Sequence, residues 1–359
     1  MNDSNQNRYT SGLSQQVWDF TSLVLKTRLA DALERGVSRY PIHRSLRFAA
    51  RASVGDVFDG MALNLGLNAQ RLDGNSLLLD GDGVFIAANA GRKSDYSSYY
   101  FGIWADSIER AERWADALQQ RVEPTRIRES MFSIDWHFLT GRGELESASI
   151  EELADDVLLD AAYPEIGDVK RFIDRYLRAK ETVLVLRGRP GTGKTRLIRA
   201  ILGEISRRNG GSAQALYTGD KKALESDEIY VKFITGEDEA FVVEDADHLL
   251  RPRAEGNEHL HRFLAIADGV VRAQGRKIIF STNLPNVGDL DDALVRPGRC
   301  YAHVHVRELS PAEAATLVRQ LASERGLDGA AIASTLAASG DRSYSLAQIY
   351  QAVERASGN

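Results

Sequence analysis

The chain has 359 residues, 43% of them hydrophobic, a formal net charge of −6 and one cysteine, Cys300. That length and apolar content suit two to three globular domains with a sizeable core. The acidic balance gives no overall pull toward duplex nucleic acid, one cysteine builds no disulfide framework, and no apolar run approaches the roughly 20 residues of a membrane span. The polar start, Met1 to Ser11, lacks the charged-then-apolar order of a signal peptide, so a cytoplasmic protein without a membrane span is expected.

Leu13, Val17, Phe20, Val24, Leu29 and Leu33 recur at helical spacing up to Gly36, which predicts an amphipathic helix packed on its own domain or against a partner. The pattern then shifts to strands at 76–79, 83–88 and 99–104, a helix over 107–121 and a strand over 132–138. All four tryptophans, Trp18, Trp104, Trp114 and Trp136, fall in this part, as a large core or a partner surface would place them, burial being the commoner use of large aromatics. An α+β domain over residues 1–155 follows, without a catalytic constellation; recognition of a protein partner is the role left to it. Residues 141–165 carry Glu151, Glu152, Asp155 and Asp156 and read as an acidic connector. From Val169 helix and strand alternate, the mark of a parallel sheet, so 156–309 is expected to be an α/β domain with helices flanking the sheet. Ser310-Pro311-Ala312-Glu313 combines an N-cap, a proline at the first helical position and a glutamate at the third, opening a small helical lid over 310–359.

Three strand ends carry chemistry. The apolar run Thr182-Val183-Leu184-Val185-Leu186 leads into Gly188-Arg189-Pro190-Gly191-Thr192-Gly193-Lys194-Thr195 and then a helix, the strand–loop–helix setting of a Walker A phosphate loop. Gly188, Gly191 and Gly193 let backbone N–H groups face phosphates, with Pro190, Thr192 and Arg196 in the same cradle. Lys194 supplies charge to the β- and γ-phosphates, and Thr195 offers a hydroxyl to Mg²⁺. A second buried strand, Ala240-Phe241-Val242-Val243, ends in Glu244-Asp245, with Asp247 two residues on. One such carboxylate holds the metal and the next polarises the attacking water. The usual order is Asp then Glu; here it is inverted, and by position Glu244 takes the metal role beside Thr195 and Asp245 the base role. A third strand, Lys277-Ile278-Ile279-Phe280, ends in Ser281-Thr282-Asn283, where Asn283 can orient the lytic water. Farther on, Arg296 and Arg299 bracket a Pro-Gly turn.

Through Gly188 to Thr195, Glu244-Asp245, Asn283 and Arg296 to Arg299, the chain resembles the AAA ATPases over roughly residues 160–355. The resemblance implies ATP and Mg²⁺ as ligands and a homo-oligomeric ring, a hexamer or a heptamer. It also implies arginine fingers, Arg296 and Arg299, reaching a neighbouring subunit's ATP. Tyr163-Pro164-Glu165-Ile166-Gly167 falls where that family packs its adenine, which implies contacts from Ile166 and Gly167. Glu244-Asp245-Ala246-Asp247, the stretch Leu264 to Val270 and the short spacing between Tyr217 and Phe241 are similar to the mitochondrial Rieske-protein translocase subfamily. That subfamily's membrane helix has no counterpart here, and residues 1–155 do not match its substrate-handling domain. Thr218 to Ala223 stands where peptide-threading members place an aromatic pore loop and is charged instead, which disfavours threading. His259/His261 and His303/His305 offer two histidines each, short of a zinc ligand set, and read as surface pairs rather than zinc ligands. The expected function is remodelling or translocation of a protein partner; the alternative is a slow, nucleotide-controlled assembly or signalling module.

Overall fold

The computed structural model describes Thr27 and residues 42–93, 95–127, 131–141, 143–154, 158–209, 212–236, 238–252, 259–268, 276–338 and 340–358. The helix expected over 13–36 lies outside these residues except for Thr27, as do Gly269 and Val270. The chain divides into two compact units at 128/129.

In the first unit, largely buried apolar runs in the central strands build an antiparallel sheet: β1 (Ile42–Ala50), β2 (Asn68–Arg71), β3 (Ser76–Gly81), β4 (Val84–Arg92), β5 (Ser97–Ala105) and β6 (Arg126–Ile127), in the order β2-β3-β4-β5-β1-β6. Two residues, Asp82-Gly83, join β3 to β4. Gly83 takes φ 71°, as tight hairpin turns require. Helices α1 (Val54–Asn64) and α2 (Ile108–Val122) start where Ser53 and Ser107 accept the amides of Asp56 and Arg110. Phe58, Met61, Ala115 and Leu118 bury against Phe48, Ile86, Tyr99 and Phe101 of the sheet.

The second unit departs from the expected boundary. The strand foreseen over 132–138 is real, β7 (Met131–Leu139), but it belongs to the sheet of the second unit, and the supposed acidic connector contains its antiparallel partner β8 (Leu145–Leu153). The reason is local. Phe132 on β7 joins the core cluster of this unit, and β7 pairs in parallel with β10 (Ser212–Thr218), from Met131 opposite Ser212 to Trp136 opposite Tyr217. The remaining strands are β9 (Val183–Arg187), β11 (Ala240–Val243), β12 (Lys277–Thr282) and β13 (Cys300–His305), and the sheet runs β13-β9-β12-β11-β10-β7-β8, parallel throughout except for β8.

One face of the sheet is covered by α3 (Val169–Arg178) and α4 (Lys194–Arg208). The other is covered by α5 (Lys221–Glu225), α6 (Asp227–Thr235), α7 (Asp247–Leu250) and α8 (Leu260–Asp268). The lid is the expected helical set, α9 (Pro311–Glu324), α10 (Gly329–Ala337) and α11 (Leu346–Ala356), and Ser310 and Glu313 cap α9 reciprocally. Among the described residues no helix is long and apolar enough to cross a membrane.

Candidate active site

β9 ends at Arg187, and the chain turns through 188–193 into α4. Gly188 has no room for a side chain: a Cβ would lie 2.0 Å from the carbonyl oxygen of Val306. Gly193 precedes α4 at φ 99°, where only glycine is unstrained, and a Cβ there would meet Leu346 and the Tyr163 ring. The loop is held from two sides by residues outside the motif. Tyr163 donates its hydroxyl to the Gly193 carbonyl at 3.0 Å, and the Ala347 amide, at the start of α11, donates to the Gly191 carbonyl at 3.1 Å.

Lys194 opens α4 and is buried. Its ammonium folds back on the loop, donating to the carbonyls of Gly188 at 2.6 Å and Arg189 at 3.1 Å and to Asn283 Oδ1 at 2.9 Å. Burial lowers its pKa, opposed by the carboxylates of Asp245, Glu244 and Asp247. Asn283 reaches across to Asp245, donating from Nδ2 to Oδ1 at 3.0 Å. Asp245 is the one non-glycine among the described residues at positive φ, 49°. Such a backbone costs about 1–3 kcal/mol and clusters at working sites. Its amide is held by Ser281 Oγ at 3.2 Å. Behind it, Asp247 accepts from the Thr282 hydroxyl and from the Asn283 amide, the latter at 2.7 Å, and so fixes the end of β12.

Glu244 continues β11, its amide donating to the Thr218 carbonyl at 3.1 Å. Its two oxygens are divided: Oε1 accepts from the Thr195 hydroxyl at 2.6 Å and Oε2 from the Tyr217 hydroxyl at 2.6 Å. Burial first, and then the facing Glu244, push the Tyr217 pKa up, so that its hydroxyl remains a donor. Thr195 and Glu244 in contact, with Asp245 next in the chain, present hard oxygen donors. That set fits Mg²⁺, which takes oxygen ligands and keeps several waters.

The sequence motifs thus converge: Lys194, Asn283 and Asp245 form one hydrogen-bonded chain, and Thr195 and Glu244 a second. Ile166 is half-buried against the core, and its amide and that of Gly167 both donate to the Tyr163 carbonyl, at 2.9 and 3.0 Å. Pro190 is exposed, and the buried Thr192 closes the loop by donating to the Arg189 carbonyl at 2.9 Å. Arg196, expected in the phosphate cradle, lies with its guanidinium 4.2 Å from the ring centroid of Tyr350 on α11, a cation–π contact with the lid.

Arg296 and Arg299 stand elsewhere. The Arg299 carbonyl accepts from the Val183 amide at the start of β9, whereas the phosphate loop leaves its end. Five strand residues at about 3.3 Å each separate the two by roughly 16 Å. Arg296 is exposed, and the Arg299 guanidinium donates to the Ala293 carbonyl within its own turn. His303 and His305 are exposed on the edge strand β13, as a surface pair would be. Thr218 and Asp220 are tied to β7, through the His137 carbonyl at 2.9 Å and the Leu139 amide at 2.9 Å. Tyr217, Tyr163 and Ala347 were not singled out by motif, because what recruits them is tertiary proximity. The Tyr163 segment alone had a sequence signal, its place before the phosphate loop.

Residues 184–308 match the family described as "ATPase family associated with various cellular activities (AAA)". This segment is an AAA ATPase domain. The chain is 29% identical to the ATP-dependent zinc metalloprotease FTSH 9, chloroplastic/mitochondrial, of Oryza sativa subsp. japonica, over 46% of this chain and 24% of that protein. It is 31% identical to the ATP-dependent zinc metalloprotease FtsH of Acidothermus cellulolyticus, over 44% and 26%. An AAA-ATPase of Arabidopsis thaliana is 25% identical over 83% of this chain and 69% of its own length. The chain spans about a quarter of the two FtsH proteins, and among its described residues no group of three His, Cys, Asp or Glu side chains is placed to hold a metal ion.

Proposed function

We propose that the chain works as a ring-forming ATPase in which the AAA domain couples ATP binding and hydrolysis to remodelling or translocation of a protein partner held by the N-terminal residues. The observation that carries this reading is the pair of hydrogen-bonded chains, Lys194–Asn283–Asp245 and Thr195–Glu244, gathered at the ends of β9, β11 and β12. ATP phosphates draw Lys194 away from its three acceptors and lie along the N–H groups of Arg189 and 191–194, the Gly188 N–H being given to the Thr282 carbonyl. Thr195 and Glu244 would hold Mg²⁺, which would neutralise charge on the β- and γ-phosphates. Asn283 orients a water for in-line attack on the γ-phosphorus. Asp245 takes the proton, the bond to the ADP oxygen breaks, and ADP and phosphate leave.

The distance from Val183 to the phosphate loop favours an arginine that acts on a neighbouring protomer, with the exposed Arg296 the freer of the two to reach it. The motif order Glu244-Asp245-Ala246-Asp247 favours kinship with the Rieske-protein translocase group within the family, and the lone cysteine suits a cytoplasmic setting. The pinned, charged segment from Thr218 to Ala223 argues for action on a folded partner rather than threading of an unfolded one.

The test is a pair of substitutions. Lys194→Ala is expected to abolish tight ATP binding in isothermal titration, because it meets ground-state phosphates. Asp245→Asn is expected to keep binding and stop phosphate release, because it acts on the water. If Glu244→Gln rather than Asp245→Asn gives the ATP-trapped state, the two carboxylates exchange roles. If neither variant changes binding or turnover, the ATPase reading falls.

A further inference from the structure

Resting on that ATPase reading, we infer that Tyr217 is a positioning residue that fixes Glu244 for the divalent cation. Glutamate is one methylene longer than the aspartate usual at this place, and its carboxylate has a further torsion through which to swing. The Tyr217 hydroxyl removes that freedom by holding Oε2 at 2.6 Å, which leaves Oε1 to Thr195, also at 2.6 Å, on the side facing the phosphate loop. Both distances are those of charge-assisted O–H···O⁻ bonds, the strong class.

The tyrosine is itself held. It stands on β10 opposite Trp136 of β7, whose ring meets its own edge-on with centroids 5.6 Å apart and planes at 81°, and it packs on the core of the α4 face. Tyr217 is half-buried between that exposed tryptophan and the core, and with only two side-chain torsions it gives a longer carboxylate a hydroxyl to align against. The added strand β7 thereby contributes to the metal site without placing a residue in it: Trp136 braces Tyr217, and Tyr217 braces Glu244.

The probe is Mn²⁺, which takes the same hard oxygen ligands and is counted by the electron paramagnetic resonance signal of its free aqueous form. It is titrated into the full chain saturated with ADP. Tyr217→Phe keeps the ring and deletes only the hydroxyl, and is expected to weaken Mn²⁺ retention about 10- to 100-fold, the usual cost of losing a partner of a metal ligand. ADP affinity in EDTA is expected to stay at the wild-type value. In a Glu244→Gln background the same substitution should add nothing, since its effect passes through Glu244.

Wild-type Mn²⁺ retention by Tyr217→Phe overturns the inference. So does an equal loss of ADP binding in EDTA, which marks a merely structural tyrosine. If the wild-type chain with ADP holds no Mn²⁺ at all, the ATPase reading fails first and this inference with it.

Discussion

Three acceptors, the carbonyls of Gly188 and Arg189 and the Asn283 amide oxygen, hold the Lys194 ammonium in the phosphate loop's own hollow. Buried cations are tolerable only when so paired, and phosphate can claim the lysine because its charge outbids neutral carbonyls. Asn283 therefore serves two partners, Lys194 through its oxygen and Asp245 through its nitrogen. Asn283→Ala is expected to lower kcat about 100-fold, the scale of removing one oriented polar group, while KM for ATP moves far less, since two acceptors of Lys194 survive. Steady-state kinetics on the variant separate the two constants. Gly188→Ala tests the loop differently. Its Cβ would meet a backbone oxygen, Val306 O at 2.0 Å, which cannot rotate aside as a flexible side chain would. The substitution is expected to destabilise the domain by about 2 kcal/mol or more, in the range of steric core mutations, and to lower the thermal midpoint and ATP affinity together.

Strands β7 and β8 change what counts as the ATPase domain. A fragment beginning at residue 129 retains the whole seven-stranded sheet and is expected to be soluble and to bind ATP. One beginning at 156 bares the edge of β10 along with the residues that β7 covers, and is expected to aggregate. Size-exclusion chromatography and nucleotide titration of the two fragments decide this.

The phosphate loop, Glu244-Asp245 and Asn283 were legible in the sequence because each follows an apolar strand buried on both faces, a pattern that depends on few neighbours. β8 was not, because Leu145–Leu153 reads LESASIEEL, an edge strand whose serines and glutamates imitate a connector. β1 was hidden by the charged residues at its start, and Tyr217 by belonging to no motif at all.

β7 also carries a buried charge cluster. His137 Nε2 lies 3.1 Å from Lys232 Nζ, which also pairs with Asp135 at 3.5 Å, and Asp238 is buried nearby. Burial, then Lys232, lowers the His137 pKa to about 4. Burial, then Asp135 and despite Lys232, raises that of Asp238 to about 6, with Glu239 adding to the rise. The signs oppose. His137 is held neutral, so its stability contribution is full above pH 6.5 and is lost as pH falls toward 4. Asp238 favours the acid form, so its contribution is lost as pH rises through 6 and regained on acidification. The two shifts are similar in size and opposite in sign, so they nearly cancel between pH 6 and 4. Asp238→Asn is expected to unmask His137: its thermal midpoint should fall more steeply than the wild type's across that window, and thermal melts at several pH values read the difference.

At the scale of the assembly, the arginine turn sits at the opposite end of β9 from the phosphate loop, so catalysis is expected to need a neighbour. Arginine fingers contribute roughly 10³ to 10⁵ in rate. A subunit carrying Arg296→Ala and Arg299→Ala and one carrying Lys194→Ala should each be nearly inactive alone. Mixed, they should recover part of the activity at interfaces that unite an intact loop with intact arginines. Mixed rings as inactive as either parent, or full activity per protomer at a dilution where rings dissociate, would show that the arginines act only within their own chain.

The bond from the Ala347 amide to the Gly191 carbonyl ties the lid to the loop that takes the phosphates, and the Arg196–Tyr350 contact adds a second tie on the same helix. Any turning of α11 away from the loop breaks these ties, so lid angle and nucleotide affinity are thermodynamically linked. Linkage is reciprocal. A protein that grips the lid and turns it alters the hold on ATP by a definite factor, and ATP alters the grip on that protein by the same factor. The smallest subdomain is thereby a lever that can be worked from either end.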